Sequence, residues 1–214
     1  MTLVICPGFH PPALTDSLVR SLDLSPDRFV IVPSDSCPPY SAPHLLEFLK
    51  QQERRAQLND GTVFLSFSAG VVGAIGAAWA WQLLGHSVKA FIAIDGWGVP
   101  LFGTFPIHRL SHDPWTHLTS TGLEWLADGF YADPPMSHLE LWRSPAMVQG
   151  WWVNYGNVDS LPPPRSLVPA FKTRATAAWV LQDILERYGE AVNATVKTGE
   201  TIPAASAQPP LSSE

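Results

Sequence analysis

The sequence predicts an α/β fold, a three-layer sandwich in which helices cover both faces of a mainly parallel sheet of about five strands. Short apolar runs that end at Pro, Gly or Asp alternate with longer segments whose apolar residues recur at helical spacing. Four strands that alternate with three helices require a parallel sheet with crossover helices. The length of 214 residues and the hydrophobic fraction of 46% fit one domain, predicted over residues 1–190.

The regular elements are predicted in the first 94 residues. The predicted strands are Leu3–Cys6, Arg28–Val32, Thr62–Phe67 and Val88–Ile94. Leu14, Leu18, Val19 and Leu22 indicate a first helix, and the second and third are predicted over Ser41–Gln57 and Ala69–Leu84. Each strand is mostly apolar, which is typical of strands that are buried on both faces of a sheet.

The second half is less periodic. Residues 95–165 are rich in Pro, Gly and His, so we predict a mostly irregular, cap-like region over the carboxyl ends of the strands. Gly129–Ala132 is a possible fifth strand before a helix from His138. Pro162–Pro164 predicts an extended connector, and Ala170–Tyr188 predicts a final helix. Residues 191–214 have no aromatic residue and predict a disordered tail.

Composition excludes some functions. Thirteen Lys and Arg against nineteen Asp and Glu give a net charge of −6, which opposes binding to nucleic acid. The first residues lack a basic segment before a long apolar stretch, and Val63–Leu84 contains Gly, Ala and Gln within flanking turn signals. We therefore expect no signal peptide, no transmembrane segment and a cytoplasmic location. Cys6 and Cys37 are too few for a disulfide framework, and the ordinary interpretation of Cys6 is a buried, inert thiol.

The informative segment is T-V-F-L-S-F-S-A-G-V-V-G, where a predicted strand turns into a helix at Ser68. A nucleophile at such a strained turn needs small residues two positions before and after it, and here these are Ser66 and Gly70. Ser66 itself fails this test because Phe64 precedes it by two positions. The alternative is that Ser68 caps the helix through its side chain, a common role for serine.

With this motif, residues 1 to 140 resemble the α/β-hydrolase superfamily, as a small member without the first two antiparallel strands. The common elbow has Gly where this chain has Ser66, so the motif is S-x-S-x-G. The resemblance implies that Ser68 is the nucleophile. It also implies an oxyanion hole formed by the backbone N–H of Ala69 and that of Phe9 or His10, in the loop C-P-G-F-H-P-P after the first strand. His10 can instead be an ordinary loop residue whose ring bonds to nearby backbone.

A nucleophilic serine needs a histidine as base and a carboxylate that orients it. His108, His112, His117 and His138 follow the elbow helix, and we choose His138 because it lies after the possible last strand and before a helix; His112 is its rival. For the acid we choose Asp95 because a residue that ends a strand is held rigidly. Asp113 and Asp133, beside prolines in loops, are its rivals.

No cofactor and no metal are expected. His112 and His117 flank Asp113, but their five-residue separation does not place both imidazoles on one helical face. The sequence also contains no P-loop and no G-x-G-x-x-G motif.

Nine tryptophans are unusual in a chain of this length. Six of them lie between Asp95 and Trp152, namely Trp97, Trp115, Trp125, Trp142, Trp151 and Trp152. They can simply fill the core of an irregular region, or they can form an apolar cap over Ser68 with Trp97 and Trp115 at the substrate pocket.

The sequence therefore predicts a serine hydrolase that cleaves a carboxylic ester or thioester with an apolar acyl group. The alternative is an inactive protein of the same fold that binds a partner or an apolar ligand.

Overall fold

A computed structural model describes residues 2–58, 61–96, 98–120, 128–154 and 171–189. These residues form one mixed, mostly parallel sheet of eight strands in the order β2-β1-β3-β4-β5-β6-β7-β8. The strands are β1 (Thr2–Cys6), β2 (Phe29–Ile31), β3 (Thr62–Phe67), β4 (Val88–Ile94), β5 (Ile107–Ser111), β6 (Gly129–Ala132), β7 (Gln149–Asn154) and β8 (Phe171–Thr176). The strands β1 to β6 are parallel, whereas β7 and β8 each run antiparallel to the strand before them.

Helices cover both faces of this sheet. They are α1 (Pro12–Ser21), α2 (Ala42–Arg54), α3 (Ala69–Leu83), α4 (Pro114–Thr119), α5 (His138–Arg143) and α6 (Ala177–Arg187). One apolar cluster joins the sheet to α1, α5 and α6, and the other joins it to α2 and α3. Every residue of β3 is therefore buried, which explains why its sequence is apolar without alternation. No helix among the described residues is long and apolar enough to cross a membrane.

The general α/β class is as the sequence predicts, but the estimate of about five strands is too low. Residues 95–165 also hold more regular structure than expected, since β5, α4 and β7 lie there. β5 reads I-H-R-L-S, and its polar side chains are buried because the fold supplies partners: His108 Nε2 lies 2.9 Å from the Tyr188 hydroxyl, and Arg109 donates to the Ser120 carbonyl. A sequence pattern based on apolar runs does not detect such a strand.

The expected helix over Ala170–Tyr188 is wrong in its first third. Phe171–Thr176 is the strand β8, and α6 begins only at Ala177, with the Thr176 hydroxyl accepting a hydrogen bond from the Trp179 N–H as the helix cap. The residues F-K-T-R-A-T alternate in polarity, as is typical of an edge strand. The predicted connector at Pro162–Pro164 and the predicted tail over 191–214 lie outside the described residues.

The start of α3 is in close contact with the end of β1, and this contact requires a glycine. A Cβ added at Gly70 would lie 2.5 Å from the Pro7 carbonyl oxygen and also overlap the carbonyl oxygen of Cys6. Both atoms belong to the backbone of the sheet and its loop, so neither can rotate away. Farther along α3, a Cβ at Gly76 would meet only the side chain of Ala42, at 2.8 Å.

We therefore expect Gly70→Ala to lower the free energy of unfolding by about 2 kcal/mol or more, as in overpacked sites. Gly76→Ala should cost less, because the Ala42 methyl group can shift with α2 and because alanine favours a helix by about 1 kcal/mol over glycine. Urea unfolding of the two variants and the wild type measures the difference. Equal stabilities of the two variants would contradict this account of the α3 start.

Candidate active site

Ser68 lies at the corner between β3 and α3, at the carboxyl edge of the sheet. Its backbone has φ 53° and ψ −124°, a strained conformation for a residue with a side chain. Its side chain makes no capping hydrogen bond to the helix, and none of the hydrogen bonds among the described residues involves its hydroxyl. The capping role considered from the sequence therefore does not apply. The Ser68 hydroxyl is instead left free at a turn of the kind that carries nucleophiles.

Neighbouring backbone holds this corner in place. The Ser68 N–H donates to the Ile94 carbonyl of β4 at 3.0 Å. The β1–α1 loop passes against the corner, since a Cβ added at Gly8 would lie 3.0 Å from the Ser68 Cβ. Ser66, the residue that departs from the common elbow, is fully buried and donates its hydroxyl hydrogen to the Ile92 carbonyl at 2.9 Å. The sheet therefore accommodates Ser66 as an internal hydrogen-bond donor, whereas the Ser68 hydroxyl has no such partner among the described residues.

Three backbone N–H groups at the start of α3 and in the β1–α1 loop have no partner among the described residues. Ala69 is the first residue of α3, and its N–H belongs to the unpaired first turn of that helix. Phe9 and His10 follow Gly8 in the adjacent loop, and their N–H groups are likewise not used in backbone hydrogen bonds. The His10 Nδ1 lies 3.0 Å from the Pro11 carbonyl, so this nitrogen is the donor. The N–H groups that the resemblance assigns to an oxyanion hole thus make no hydrogen bond among the described residues.

Asp95 is the first residue after β4, and its side chain is fully buried. Its backbone also has a positive φ, 50°, and its N–H donates to the Leu110 carbonyl of β5 at 2.8 Å. The carboxylate atom Oδ1 accepts the backbone N–H of His112 at 2.9 Å. A carboxylate held by both its backbone and its side chain has one orientation, which suits it to orient a histidine.

His138 begins α5, and its Nδ1 lies 2.8 Å from Asp95 Oδ2. Its ring stacks on Phe67, the residue before Ser68, with centroids 4.5 Å apart and an interplanar angle of 24°. The structure therefore brings Asp95 and His138 into contact, and it places the His138 ring on the residue next to Ser68. Because Nδ1 of His138 donates its hydrogen to the Asp95 carboxylate, Nε2 is the unprotonated nitrogen of the neutral ring. No hydrogen bond joins His138 to Ser68 within the described residues.

His112 also reaches Asp95, from the end of β5. Its Nδ1 lies 3.0 Å from Asp95 Oδ2, and its Nε2 lies 2.7 Å from Asp113 Oδ2. Partial burial of Asp113 acts to raise its pKa, but hydrogen bonds from Thr116 and the nearby His112 bring the pKa below its usual value. Asp113 is thus the partner of His112, not of His138. His112, the rival base, and Asp113, a rival acid, therefore form a second pair next to Asp95.

The other candidates lie elsewhere. Burial lowers the pKa of His108 to about 3 and that of His117 to about 4, so both are neutral packing residues. Asp133 bonds to Trp151 Nε1 at 2.7 Å and to Arg174, and it contacts no histidine among the described residues. Burial raises the pKa of the Cys6 thiol, which is therefore not a nucleophile.

Of the two tryptophans predicted at the pocket, the structure describes only Trp115. Trp97 lies outside the described residues. Trp115 is 73% exposed on α4, which follows β5, and no ring contact joins it to the candidate site within the part of the chain that the structure describes. Trp142 of α5 is instead the tryptophan near the site, because it stacks on Phe67 with centroids 4.9 Å apart.

Sequence reasoning missed three contributors. The Phe67 ring stacks on the His138 ring. The exposed rings of Phe9 and Tyr40 contact each other, with centroids 6.0 Å apart. Tyr40 lies in the loop that packs against α3, since a Cβ added at Gly73 would lie 3.0 Å from the Tyr40 carbonyl carbon. The sequence signal that could indicate Phe9 and Tyr40 is an aromatic residue in each of the loops that follow the neighbouring strands β1 and β2.

A cavity of about 270 Å³ lies at the opposite edge of the sheet, near the amino ends of β3 and β4. Thr62, Trp81, His86 and Ser87 are among its lining residues. Ligands of open α/β sheets bind at the carboxyl ends of the strands, so this cavity is not the candidate active site.

No known protein-family profile matches the sequence, and no curated protein matches it either.

Proposed function

We propose that the protein is a serine hydrolase that cleaves carboxylic esters or thioesters through an acyl-enzyme on Ser68. The observation that carries the proposal is the placement of His138, which is bonded to Asp95 at 2.8 Å and stacked on the residue next to Ser68. A hydroxyl at a strained corner, an imidazole on the neighbouring residue and a buried carboxylate bonded to that imidazole support an acyl-transfer site, whose three parts are a nucleophile, a base and an acid.

In this mechanism Ser68 Oγ attacks the ester carbonyl while His138 Nε2 takes the hydroxyl proton. The imidazolium is stabilised by Asp95, whose carboxylate stays ionised. The tetrahedral intermediate collapses when His138 returns the proton to the departing alcohol or thiol, which leaves the acyl group on Ser68. Water then attacks the acyl-enzyme with the same histidine as base, and the carboxylic acid leaves. The same residues also serve acyl transfer to an alcohol or amine in place of water.

The developing oxyanion would be bound by the N–H of Ala69 and the N–H of Phe9 or His10. These groups make no hydrogen bond within the described part of the chain, and the α3 N-terminus adds the positive end of its dipole. A donor in such a position is typically worth about 3 to 4 kcal/mol in the transition state. Closing of the Ser68–His138 hydrogen bond when substrate binds is part of the proposal, since such bonds are often long without substrate.

The proposed substrate has an apolar acyl group. Phe9 and Tyr40 are 67% and 58% exposed, although they contact each other beside the start of α3. Two neighbouring exposed rings at the mouth of a site provide apolar surface that an acyl chain would cover. The assignment of Trp97 and Trp115 to the substrate pocket stays a prediction.

Ser68→Ala should abolish labelling by a fluorophosphonate probe and reduce hydrolysis of a p-nitrophenyl ester by several orders of magnitude, because it removes the hydroxyl that forms the covalent intermediate in this mechanism. In-gel fluorescence and ester turnover measure these effects. Ser66→Ala is the matched control, since it removes a hydroxyl two residues away that is already bonded to the Ile92 carbonyl. This control should keep both labelling and turnover.

Undiminished labelling of Ser68→Ala would reject Ser68 as the nucleophile. Absence of labelling in the wild type would favour the alternative from the sequence, an inactive protein of this fold that binds a partner or apolar ligand.

Tyr40→Ala should reduce kcat/KM for an octanoyl ester by about tenfold. Without the ring, acyl surface equivalent to about two methylene groups stays exposed to water in the bound substrate. Its kcat/KM for the acetyl ester should change by less than about twofold, since an acetyl group does not reach the ring. Phe102→Ala is the control, because Phe102 is a 55% exposed aromatic residue that contacts Trp79 farther along α3. Equal losses for both esters would contradict an acyl-binding role of Tyr40.

A further inference from the structure

Asp95, His112 and His138 form a compact group of metal-ligating side chains. One ligand atom from each residue lies within 4.8 Å of the others. Both Nδ1 atoms approach the same carboxylate oxygen, Asp95 Oδ2, at 2.8 Å from His138 and 3.0 Å from His112. A single triad needs one imidazole on its carboxylate, so the second imidazole is unexplained by the proposed function.

The tautomer of the neutral His112 ring follows from the contact on its far side. Its Nε2 lies 2.7 Å from Asp113 Oδ2, and a carboxylate only accepts hydrogen bonds, so Nε2 carries a proton. In the neutral ring Nδ1 then has a lone pair. This Nδ1 is shielded from solvent and makes no hydrogen bond, although it lies beside the Asp95 carboxylate. The Nδ1 lone pair of the neutral ring then faces the lone pairs of the carboxylate oxygen. This contact is unfavourable unless a cation lies between the two atoms.

A carboxylate on the outer nitrogen of a histidine is also a common feature of metal sites. Metal-bound histidines usually donate their second ring N–H to a carboxylate or carbonyl, which fixes the tautomer and orients the ring. Asp113 is itself held by hydrogen bonds from the Thr116 N–H at 2.6 Å and from the Thr116 hydroxyl at 2.9 Å. The pair His112–Asp113 therefore has the form of a ligand with its supporting carboxylate.

We propose that Asp95, His112 and His138 bind a borderline-soft divalent cation such as Zn²⁺, and that this cation and the Ser68 chemistry exclude each other. The second part rests on the proposed function, whereas the first does not. Two imidazole nitrogens and one carboxylate oxygen are the ligand set that Zn²⁺ takes when water completes the tetrahedron.

The distances suit such an ion. Ligand atoms at 2.0 to 2.2 Å from a tetrahedral zinc lie about 3.3 to 3.5 Å from one another. The two present Nδ1–Oδ2 distances, 2.8 and 3.0 Å, need to open by a few tenths of an ångström. The charges also suit a dication, since Asp95 and Asp113 supply two negative charges and the two imidazoles bind as neutral ligands.

The exclusion follows from the proton on His138. As the base of Ser68, His138 carries its proton on Nδ1, which donates to Asp95, and has its lone pair on Nε2. Zinc at Nδ1 moves that proton to Nε2, so Nε2 has no lone pair for the Ser68 proton. The bound ion thus switches the hydrolase off, and its removal by a chelator restores the base.

Calorimetric titration of the metal-free full chain with ZnCl₂ tests the site directly. We expect one Zn²⁺ per chain for the wild type and a loss of affinity of at least about 100-fold for His112→Gln, which removes one ligand. His44→Gln is the matched control, because it removes a histidine that bonds to Ser41 at the start of α2. The control should bind as the wild type does. Equal affinities for His112→Gln and the wild type would reject the site.

Two measurements on the wild type do not depend on how a variant folds. The Co²⁺ form should show the visible absorption of a four-coordinate ion, and Zn²⁺ should displace it. Long-range ¹H–¹⁵N spectra should show the Nδ1 signals of two histidines change on addition of Zn²⁺. Mg²⁺, which prefers oxygen ligands, should produce neither effect. An unchanged histidine spectrum at saturating Zn²⁺ would overturn the proposal.

Fluorophosphonate labelling separates the two proposals. If labelling occurs in the presence of a chelator and stops when Zn²⁺ saturates the chain, the result supports both proposals. Zinc binding without labelling in either condition rejects the hydrolase and leaves the metal site. Full labelling of Ser68 in the zinc-loaded protein rejects the exclusion.

Discussion

The hydrogen bond between Asp95 and His138 is the interaction on which the candidate site depends. It joins the end of a central strand, β4, to the first residue of a helix 43 positions later in the chain. Its carboxylate is fully buried, so this anion is stable only with its partners around it. One of those partners comes from β5, through the His112 N–H. The hydrogen bond between Asp95 and His138 therefore requires that the ends of β4 and β5 and the start of α5 meet at one edge of the sheet.

The parallel strands make this meeting possible. Their carboxyl ends lie along one edge, and the sheet holds two residues there in strained backbone conformations, Ser68 with φ 53° and Asp95 with φ 50°. Such residues cost on the order of 1 to 3 kcal/mol each and persist only where the surroundings fix them. Here the fixing contacts are backbone hydrogen bonds between neighbouring strands, from the Ser68 N–H to β4 and from the Asp95 N–H to β5.

Much of this arrangement could be predicted from local sequence. Ser68 follows an apolar strand and precedes a glycine-rich helix, and Asp95 directly ends the next strand, so both positions follow from short-range patterns. The bounds of β3, β4 and β6 are those the sequence indicates. His138 required a long-range inference from the order of elements, and the structure places it beside Asp95.

The missed features depend on partners that local patterns do not contain. β5 is polar because His108 and Arg109 find hydrogen-bond partners only after folding. His112 was weighed as a rival base or as a partner of His117, whereas the fold turns it toward Asp95, 17 residues earlier. The stacking of His138 on Phe67 joins residues 71 positions apart, and nothing near either residue indicates it.

A crystal structure of the chain after reaction with a fluorophosphonate tests the central claim most directly. The account predicts phosphorus bonded to Ser68 Oγ and the phosphoryl oxygen bound by the N–H of Ala69 and that of Phe9 or His10. It also predicts His138 Nε2 within hydrogen-bond distance of an oxygen on phosphorus, with the Asp95 bond to Nδ1 retained. Phosphorus on another residue, or His138 turned away from a phosphonylated Ser68, would contradict the account.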